Sequence, residues 1–284
     1  MLLSRYPPEH TQRKTLNIPV IGLIATLPRI ERLVARAIPS IIRQTASLDA
    51  LVVVADTTPI PASIKVGLTE AFPLMPFHFL SNVRARGVAG SWNTGIRFIS
   101  EHWPEAYLAI LDDDDEWDAE HIQTCLTWAA STAWPDVVVS GLRIDKQGND
   151  LSDQPPYQFK ATDFLAGNPG WQGSNTFIRL TTLLKAGCFT DGLLSCNDRD
   201  LAYRVLSIPG IKMVFTGKHT ATWYLAGESN CLSRTRGEAK RIGLAQFFQL
   251  YGDRMDQAIR QRFFDRALAL FGWSETEILS VLDK

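Results

Sequence analysis

Apolar residues in the first half of the chain come in short unbroken runs separated by charged or turn-forming stretches. Ile18–Ala25 (IPVIGLIA), closed by Thr26–Pro28, predicts a strand buried on both faces. From Arg29 the rhythm changes. Ile30, Leu33, Val34, Ala37, Ile38, Ile41 and Ile42 recur at steps of three and four, the stripe of an amphipathic helix ending near Gln44, with Pro39 a point of kinking. Leu51–Ala55 (LVVVA), ended by Asp56-Thr57-Thr58-Pro59, and Phe77–Leu80 predict two more strands, and strand–helix–strand at this spacing implies a parallel sheet. Gly87–Ser100 reads as a loop running into a helix. Tyr107–Leu111 (YLAIL) is a further buried strand that stops abruptly at Asp112. Beyond it the pattern predicts a helix over Asp118–Ala130, a strand over Val137–Ser140, and a hairpin turn over Asp145–Asp150. A Gly/Asn/Trp loop follows over Gly167–Asn175, then a strand over Thr176–Arg179 and helices over Thr181–Lys185 and Asp198–Leu206. Two amphipathic helices, Glu238–Leu250 and Arg254–Phe271, finish the chain, which carries no internal repeat or low-complexity linker.

Composition narrows the classes. The 284 residues carry 29 Lys+Arg against 30 Asp+Glu, and 45% are hydrophobic, so the chain folds as a globular protein and lacks the basic field of a nucleic-acid binder. The four cysteines form no CxxC pair and none has a zinc-ligand spacing to a histidine; they read as reduced thiols. The polar, proline-containing start MLLSRYPPEHTQRK lacks the apolar core of a signal peptide, and no apolar run reaches the roughly 18 residues of a membrane span. These features lead us to expect a cytoplasmic protein.

Asp112-Asp113-Asp114-Asp115-Glu116 is the strongest chemical signal. Adjacent carboxylates repel, and a run of them after an apolar strand is placed where open α/β sheets bind ligands. Asp112 and Asp114 have the alternate spacing at which two carboxylates converge on one hard cation, Mg²⁺ or Mn²⁺, and on the hydroxyls of its ligand; the alternative is a solvated acidic turn. A second acidic cluster, Asn197-Asp198-Arg199-Asp200-Leu201, opens an apolar-periodic helix, where an Asp is also a common N-cap.

Taken in order, these motifs resemble a family 2 glycosyltransferase of the GT-A fold. Ile24-Ala25-Thr26 and Ser40-Ile41-Ile42-Arg43-Gln44-Thr45 match its opening strand, loop and helix end. Val52-Val53-Val54-Ala55-Asp56 resembles its Val-Val-Asp-Asp segment, and Asn82-Val83-Arg84-Ala85-Arg86-Gly87 with Asn93-Thr94-Gly95 its asparagine–glycine segment. Asp112-Asp113-Asp114 resembles the DxD motif. Ala186-Gly187-Cys188-Phe189 and Asn197-Asp198-Arg199-Asp200-Leu201 resemble its Ala-Gly-Gly-Phe and Glu-Asp-x-Asp-Leu elements, so the likeness runs from Ile18 to Leu206.

The resemblance implies a mixed, mostly parallel α/β sheet flanked by helices with a C-terminal helical extension. The expected organisation is a polar arm over 1–17, a GT-A domain over 18–230 (nucleotide-sugar half 18–116, acceptor half 117–230) and a helical segment over 231–284. It implies metal-dependent, inverting transfer of a sugar from a nucleotide-sugar donor, a UDP-sugar by family habit, to a hydroxyl of a saccharide or other acceptor. Thr26 and Asp56 would touch the base with Arg84 nearby, Asn93 and Asp113 would join the donor site, Asp112 would face the ribose, and Asp114 would hold the metal. Asp198 would be the general base; because Asn197 replaces an acid often found before it, Asp200 stays open for that role.

Further candidates are softer. His219 is a possible metal or diphosphate ligand, although a lone histidine after a strand is more often structural. Arg234 and Arg236 are candidates to clamp diphosphate from a mobile stretch, and Trp171, Trp223 and Tyr224 to stack on a sugar. Arg254, Arg260, Arg262 and Arg266 suit a packed surface helix or a peripheral contact with an anionic membrane. Two other readings are an inactive GT-A module that only binds a nucleotide sugar or a partner, and a haloacid-dehalogenase-type phosphohydrolase, whose strand also ends in Asp-x-Asp. The sugar, the acceptor and the oligomeric state stay open at this level.

Overall fold

The computed structural model describes residues 18–27, 30–152, 158–225 and 235–283. In chain order the elements begin with β1 (Val20–Thr26), then α1 (Ile30–Arg32), a π-helical turn (Leu33–Ala37) and α2 (Ile38–Ile42). Next come β2 (Ala50–Ala55), α3 (Ala62–Ala71), β3 (Phe77–Ser81), α4 (Val88–His102), β4 (Tyr107–Asp112) and β5 (Glu116–Trp117). The second half holds α5 (His121–Ser131), β6 (Val137–Lys146), β7 (Asn149–Asp150), α6 (Asp163–Ala166), β8 (Thr176–Arg179), α7 (Leu180–Lys185), α8 (Asn197–Leu206) and β9 (Met213–Tyr224). Helices α9 (Glu238–Tyr251), α10 (Gln257–Phe271) and α11 (Glu275–Leu279) close the chain.

The strands form one mixed sheet in the order β3-β2-β1-β4-β8-β6-β9-β5, with β7 pairing off β6. The β3–β2–β1–β4 block is parallel; β8 runs antiparallel to both of its neighbours. Strands β1, β2 and β4 are buried almost throughout because helices cover both faces, which is why they read as continuous apolar runs. Ile21 and Leu23 point to one core layer, Val20 and Ile24 to the other. The first layer also takes Leu244, Phe247, Phe263 and Trp273, so the C-terminal helices share the sheet's core.

The helix expected from Arg29 to Gln44 is present but not uniform. Pro39 has no N–H to return to the preceding turn, and the helix widens into the π-turn just before it. The hairpin at Asp145–Asp150 is formed, with Gln147 and Gly148 both at positive φ as a tight turn requires. Helix α3 and strand β9 are additions to the sequence reading. Only Leu68 of α3 is buried, and β9 alternates Thr, Lys and His with apolar residues, so neither carries a strong periodic signal.

Candidate active site

Parallel pairing brings the carboxyl ends of three strands side by side. Thr26 of β1 lies opposite Ala55 of β2, Ala25 opposite Asp112 of β4, and the Asp56 amide donates to the Thr26 carbonyl at 2.9 Å. This is the edge at which an open α/β sheet receives a ligand.

The acidic run alternates in role. Asp113 and Asp115 are each 1% exposed and point inward. Asp113 Oδ2 accepts the Thr26 hydroxyl at 2.6 Å, and Asp115 accepts the Ser174 hydroxyl at 2.6 Å and the Tyr224 amide at 3.2 Å. Asp112 and Asp114 keep partial exposure between them. Arg32 reaches Asp114 Oδ2 at 3.3 Å, and Arg36 donates to the Asp114 carbonyl at 2.6 Å while its guanidinium stacks on the Tyr224 ring at 3.8 Å. Arg32 immediately precedes the π-turn and Arg36 lies within it.

Across from this pair stands Asp198, in the first turn of α8, and Gly173 lies between them. The Gly173 amide donates to the Asp198 carboxylate, while a Cβ at Gly173 would come within 3.4 Å of Asp112 Oδ1 and 3.2 Å of Trp92 Cζ2. One glycine therefore separates the strand-end acid from the helix acid. The residue before α8, Cys196, sits in the left-handed region at φ 68°, as does Cys188 at φ 59°. Both positions carry the backbone strain that side chains with a Cβ meet there.

The site concentrates negative charge. Burial, then the charges of Asp115, Asp198, Asp114 and Asp113, hold the Asp112 carboxyl well above the usual range. Burial and Asp114 push Asp115 up to about 8, against the opposing pull of Ser174, Tyr224 and Arg36. Burial raises Asp198 to about 6, moderated by the charge of Lys240 and by the Gly173 amide. Lys240, on α9, is 8% exposed, and its ammonium lies 4.6 Å over the Phe271 ring.

Asp200 is a different kind of acid. It is fully buried and takes the Arg204 guanidinium, the Thr190 hydroxyl at 2.8 Å and the Tyr251 hydroxyl. Its oxygens are engaged in holding α8 against the 188–190 segment and α9.

Comparison with known proteins decides the family. The family model described as glycosyl transferase family 2 matches residues 23–193, more than half of the chain. The chain belongs to glycosyl transferase family 2. It is a glycosyltransferase, not a dehalogenase-type hydrolase, and its fold is GT-A. Among solved structures it is similar to S. aureus TarS 1–349 in complex with UDP-GlcNAc, with TM-score 0.64 and 12% identity over 94% of this chain and 76% of that one. It is also similar to the mannosyltransferase PcManGT from Pyrobaculum calidifontis in complex with GDP-Man and Mn²⁺, with TM-score 0.59 and 16% identity over 95% and 75% of the two chains. No curated protein is matched.

Within this glycosyltransferase the remaining sequence candidates fall in several places. Asp56 organises the loop after β3: its Oδ1 accepts the Asn82 side chain at 2.8 Å, the Gly87 amide at 2.9 Å and the Ser91 hydroxyl at 3.0 Å. Arg84 and Asn93 converge on Asp191, Arg84 Nη2 at 2.7 Å from Oδ2 and Asn93 Nδ2 at 2.8 Å from Oδ1. Asn93 also exchanges hydrogen bonds with the Phe189 backbone, which ties α4 to the segment after α7. Arg236 is drawn to the C-terminal helices instead of the acidic edge, donating to Glu277 Oε1 and the Gly272 carbonyl, each at 2.8 Å, and stacking on Trp273. Arg234 lies outside the described residues. His219 sits mid-β9, where its carbonyl accepts from Arg143 at 3.4 Å. Its charge joins Arg143 in lowering Asp150, whose carboxyl is depressed first by the Ser152 hydroxyl and amide. Trp171 is core, its indole N–H donating to Thr176 at 2.6 Å. Sequence reasoning did not single out Arg32, Arg36, Gly173 or Lys240 for roles. Gly173 was visible inside the Gly/Asn/Trp loop, but Lys240 carries no local signal.

Proposed function

We propose that the protein is an inverting, metal-assisted transferase that moves a sugar from a nucleotide-sugar donor, a UDP-sugar, to an acceptor hydroxyl, with Asp198 as general base. The observation that carries this reading is the placement of Asp198 across Gly173 from Asp112, at the ligand-binding edge of the sheet. The donor would lie over the ends of β1, β2 and β4, with its base near Thr26 and Asp56 and its ribose near Asp112. The neighbouring proteins support this, having been solved with UDP-GlcNAc, with UDP and with GDP-Man.

The donor set fits a hard cation. Two partly exposed carboxylates, Asp112 and Asp114, stand in a site where neighbouring acids raise the Asp112 carboxyl. No group of three His, Cys, Asp or Glu converges among the described residues. Mg²⁺ and Mn²⁺ are commonly held by one or two carboxylates together with substrate phosphates and water. Asp114, with Asp112 beside it, would hold the ion, which when bound supplies positive charge to the departing diphosphate. Arg32 and Arg36 add fixed positive charge beside the same acid.

In the reaction the acceptor oxygen attacks the anomeric carbon from the face opposite the diphosphate. The new carbon–oxygen bond forms as the bond to the phosphate oxygen breaks and its electron pair leaves on the nucleoside diphosphate. Asp198 takes the proton of the acceptor hydroxyl. A carboxylate raised to about 6 is ionised at neutral pH yet more basic than a solvated one, which suits that task. Asp200, saturated by Arg204, Thr190 and Tyr251, has no such freedom. The free thiols of Cys125, Cys188 and Cys196 suit a reducing compartment, and we place the enzyme in the cytoplasm. No helix among the described residues is long and apolar enough to cross a membrane.

Calorimetric titration with UDP, GDP, CDP and dTDP, each with Mn²⁺ and with EDTA, tests the reading. Metal-dependent binding of one nucleotide, lost in Asp114→Ala, is expected. Absence of binding to any of them would overturn the reading and favour an inactive module.

A further inference from the structure

Three of the six arginines from Arg236 onward are ion-paired: Arg236 with Glu277, Arg241 with Glu238 and Arg260 with Glu275. Arg262 and Arg266 differ. Among the described residues neither has a carboxylate at ion-pair distance: Asp265 accepts from the Gln261 side chain at 2.8 Å, and Asp163, across the cavity, accepts the Lys160 amide at 2.7 Å. The two guanidiniums stand one helical turn apart on α10, a spacing at which like charges repel. Both line a cavity of about 300 Å³ whose opposite wall is Asp163 and the 166–169 loop. Gly167 shapes that wall, since a Cβ there would lie 2.7 Å from Arg266 Nε.

Behind the loop is a third guanidinium, Arg199, only 8% exposed and also without an acid. It donates to the carbonyls of Phe164 at 3.0 Å and Leu165 at 2.9 Å and stacks on Phe247 at 4.1 Å. Three guanidiniums thus stand around α6 against the single carboxylate of Asp163, which leaves the cavity with an excess of positive charge. Such an arrangement attracts an oxyanion, and the planar fork of arginine matches phosphate oxygens. The cavity is connected to the candidate base through the chain. Arg199 follows Asp198 directly, and the loop lining the cavity continues to Gly173, whose amide holds the Asp198 carboxylate.

We propose that this cavity is a subsite for a phosphate group carried by the acceptor, with Arg262 and Arg266 as its ligating residues and Arg199 as a fixed positive charge behind them. The inference rests on the transferase reading for its acceptor role, but the anion site itself stands on its own geometry. The test is calorimetric titration of the full chain with glycerol 3-phosphate, with glycerol as the uncharged control, with inorganic phosphate, and separately with UDP and Mn²⁺. Glycerol 3-phosphate is expected to bind while glycerol does not, and saturating UDP is expected not to displace it. Arg262→Gln/Arg266→Gln should weaken glycerol 3-phosphate binding at least about tenfold, the effect of losing charge-assisted hydrogen bonds, and leave UDP binding unchanged. Both side chains are exposed, so the variant should fold, and equal melting temperatures would verify that. Undiminished binding in the double variant, or displacement by UDP, would overturn the site; binding of inorganic phosphate without glycerol 3-phosphate would overturn its acceptor role. Failure of UDP alone, with phosphate-ester binding intact, would strike the transferase reading and not the anion site.

Discussion

Replacing Asp200 by asparagine should damage the fold and spare the chemistry. Asp200 is fully buried, and the Arg204 head it neutralises is 22% exposed. Breaking a buried ion pair by removing one charge costs about 3–5 kcal/mol, because the partner is left uncompensated. Asparagine keeps one oxygen for Tyr251 or Thr190, and Arg204 retains the Ala186 and Cys188 carbonyls as acceptors. The loss should therefore sit near the lower end, about 3 kcal/mol. For a chain of this size that corresponds to a fall of roughly 6–10 °C in melting temperature. The assay pairs thermal and urea unfolding with turnover measured well below the midpoint. Turnover of the folded variant should stay within a few-fold of wild type. A melting temperature unchanged within about 2 °C, together with abolished turnover, would refute the reasoning and move the base to Asp200.

Three further outcomes follow from the same geometry. Lys240→Met removes the buried positive charge that favours ionised Asp198, so the acid limb of kcat/KM should move to higher pH, and Lys240→Arg should restore it; an unmoved limb would deny the coupling. Because the Asp198 pKa is raised in the folded state, its ionisation works against folding, and its stabilising contribution is lost as pH rises through about 6. Stability of the Asp198→Asn variant should thus exceed that of wild type above this pH and converge with it below, as pH-dependent unfolding would record. Gly173→Ala places a methyl group 3.2 Å from Trp92 and 3.4 Å from Asp112, an overpacking worth about 1–3 kcal/mol that should lower melting temperature and weaken UDP binding; unchanged values for both would contradict the wedge.

The parts of this protein that were legible in its sequence are those whose signal is local. Strands β1, β2 and β4 announce themselves because burial on both faces demands unbroken apolar runs. The acidic run after β4 is equally plain. What stayed hidden depends on contacts distant in sequence. Asp198 and Asp200 are the same residue type two positions apart, and only the Arg204, Thr190 and Tyr251 partners separate the fully buried acid from the less deeply buried one. The partners of the Asn93 amide, Phe189 and Asp191, are likewise nearly a hundred residues away. Lys240 influences Asp198 from a helix beyond the family motifs, where no spacing rule applies.

The most direct test of the central claim is to measure turnover and donor affinity together in Asp198→Asn. The carboxamide preserves the shape of the side chain and removes its basicity. Loss of a general base costs about 10²–10⁴-fold in rate. The account predicts kcat reduced by about a thousandfold, with the Kd for UDP and Mn²⁺ within a factor of about two of wild type and the fold intact. Retention of turnover within about tenfold of wild type would contradict it.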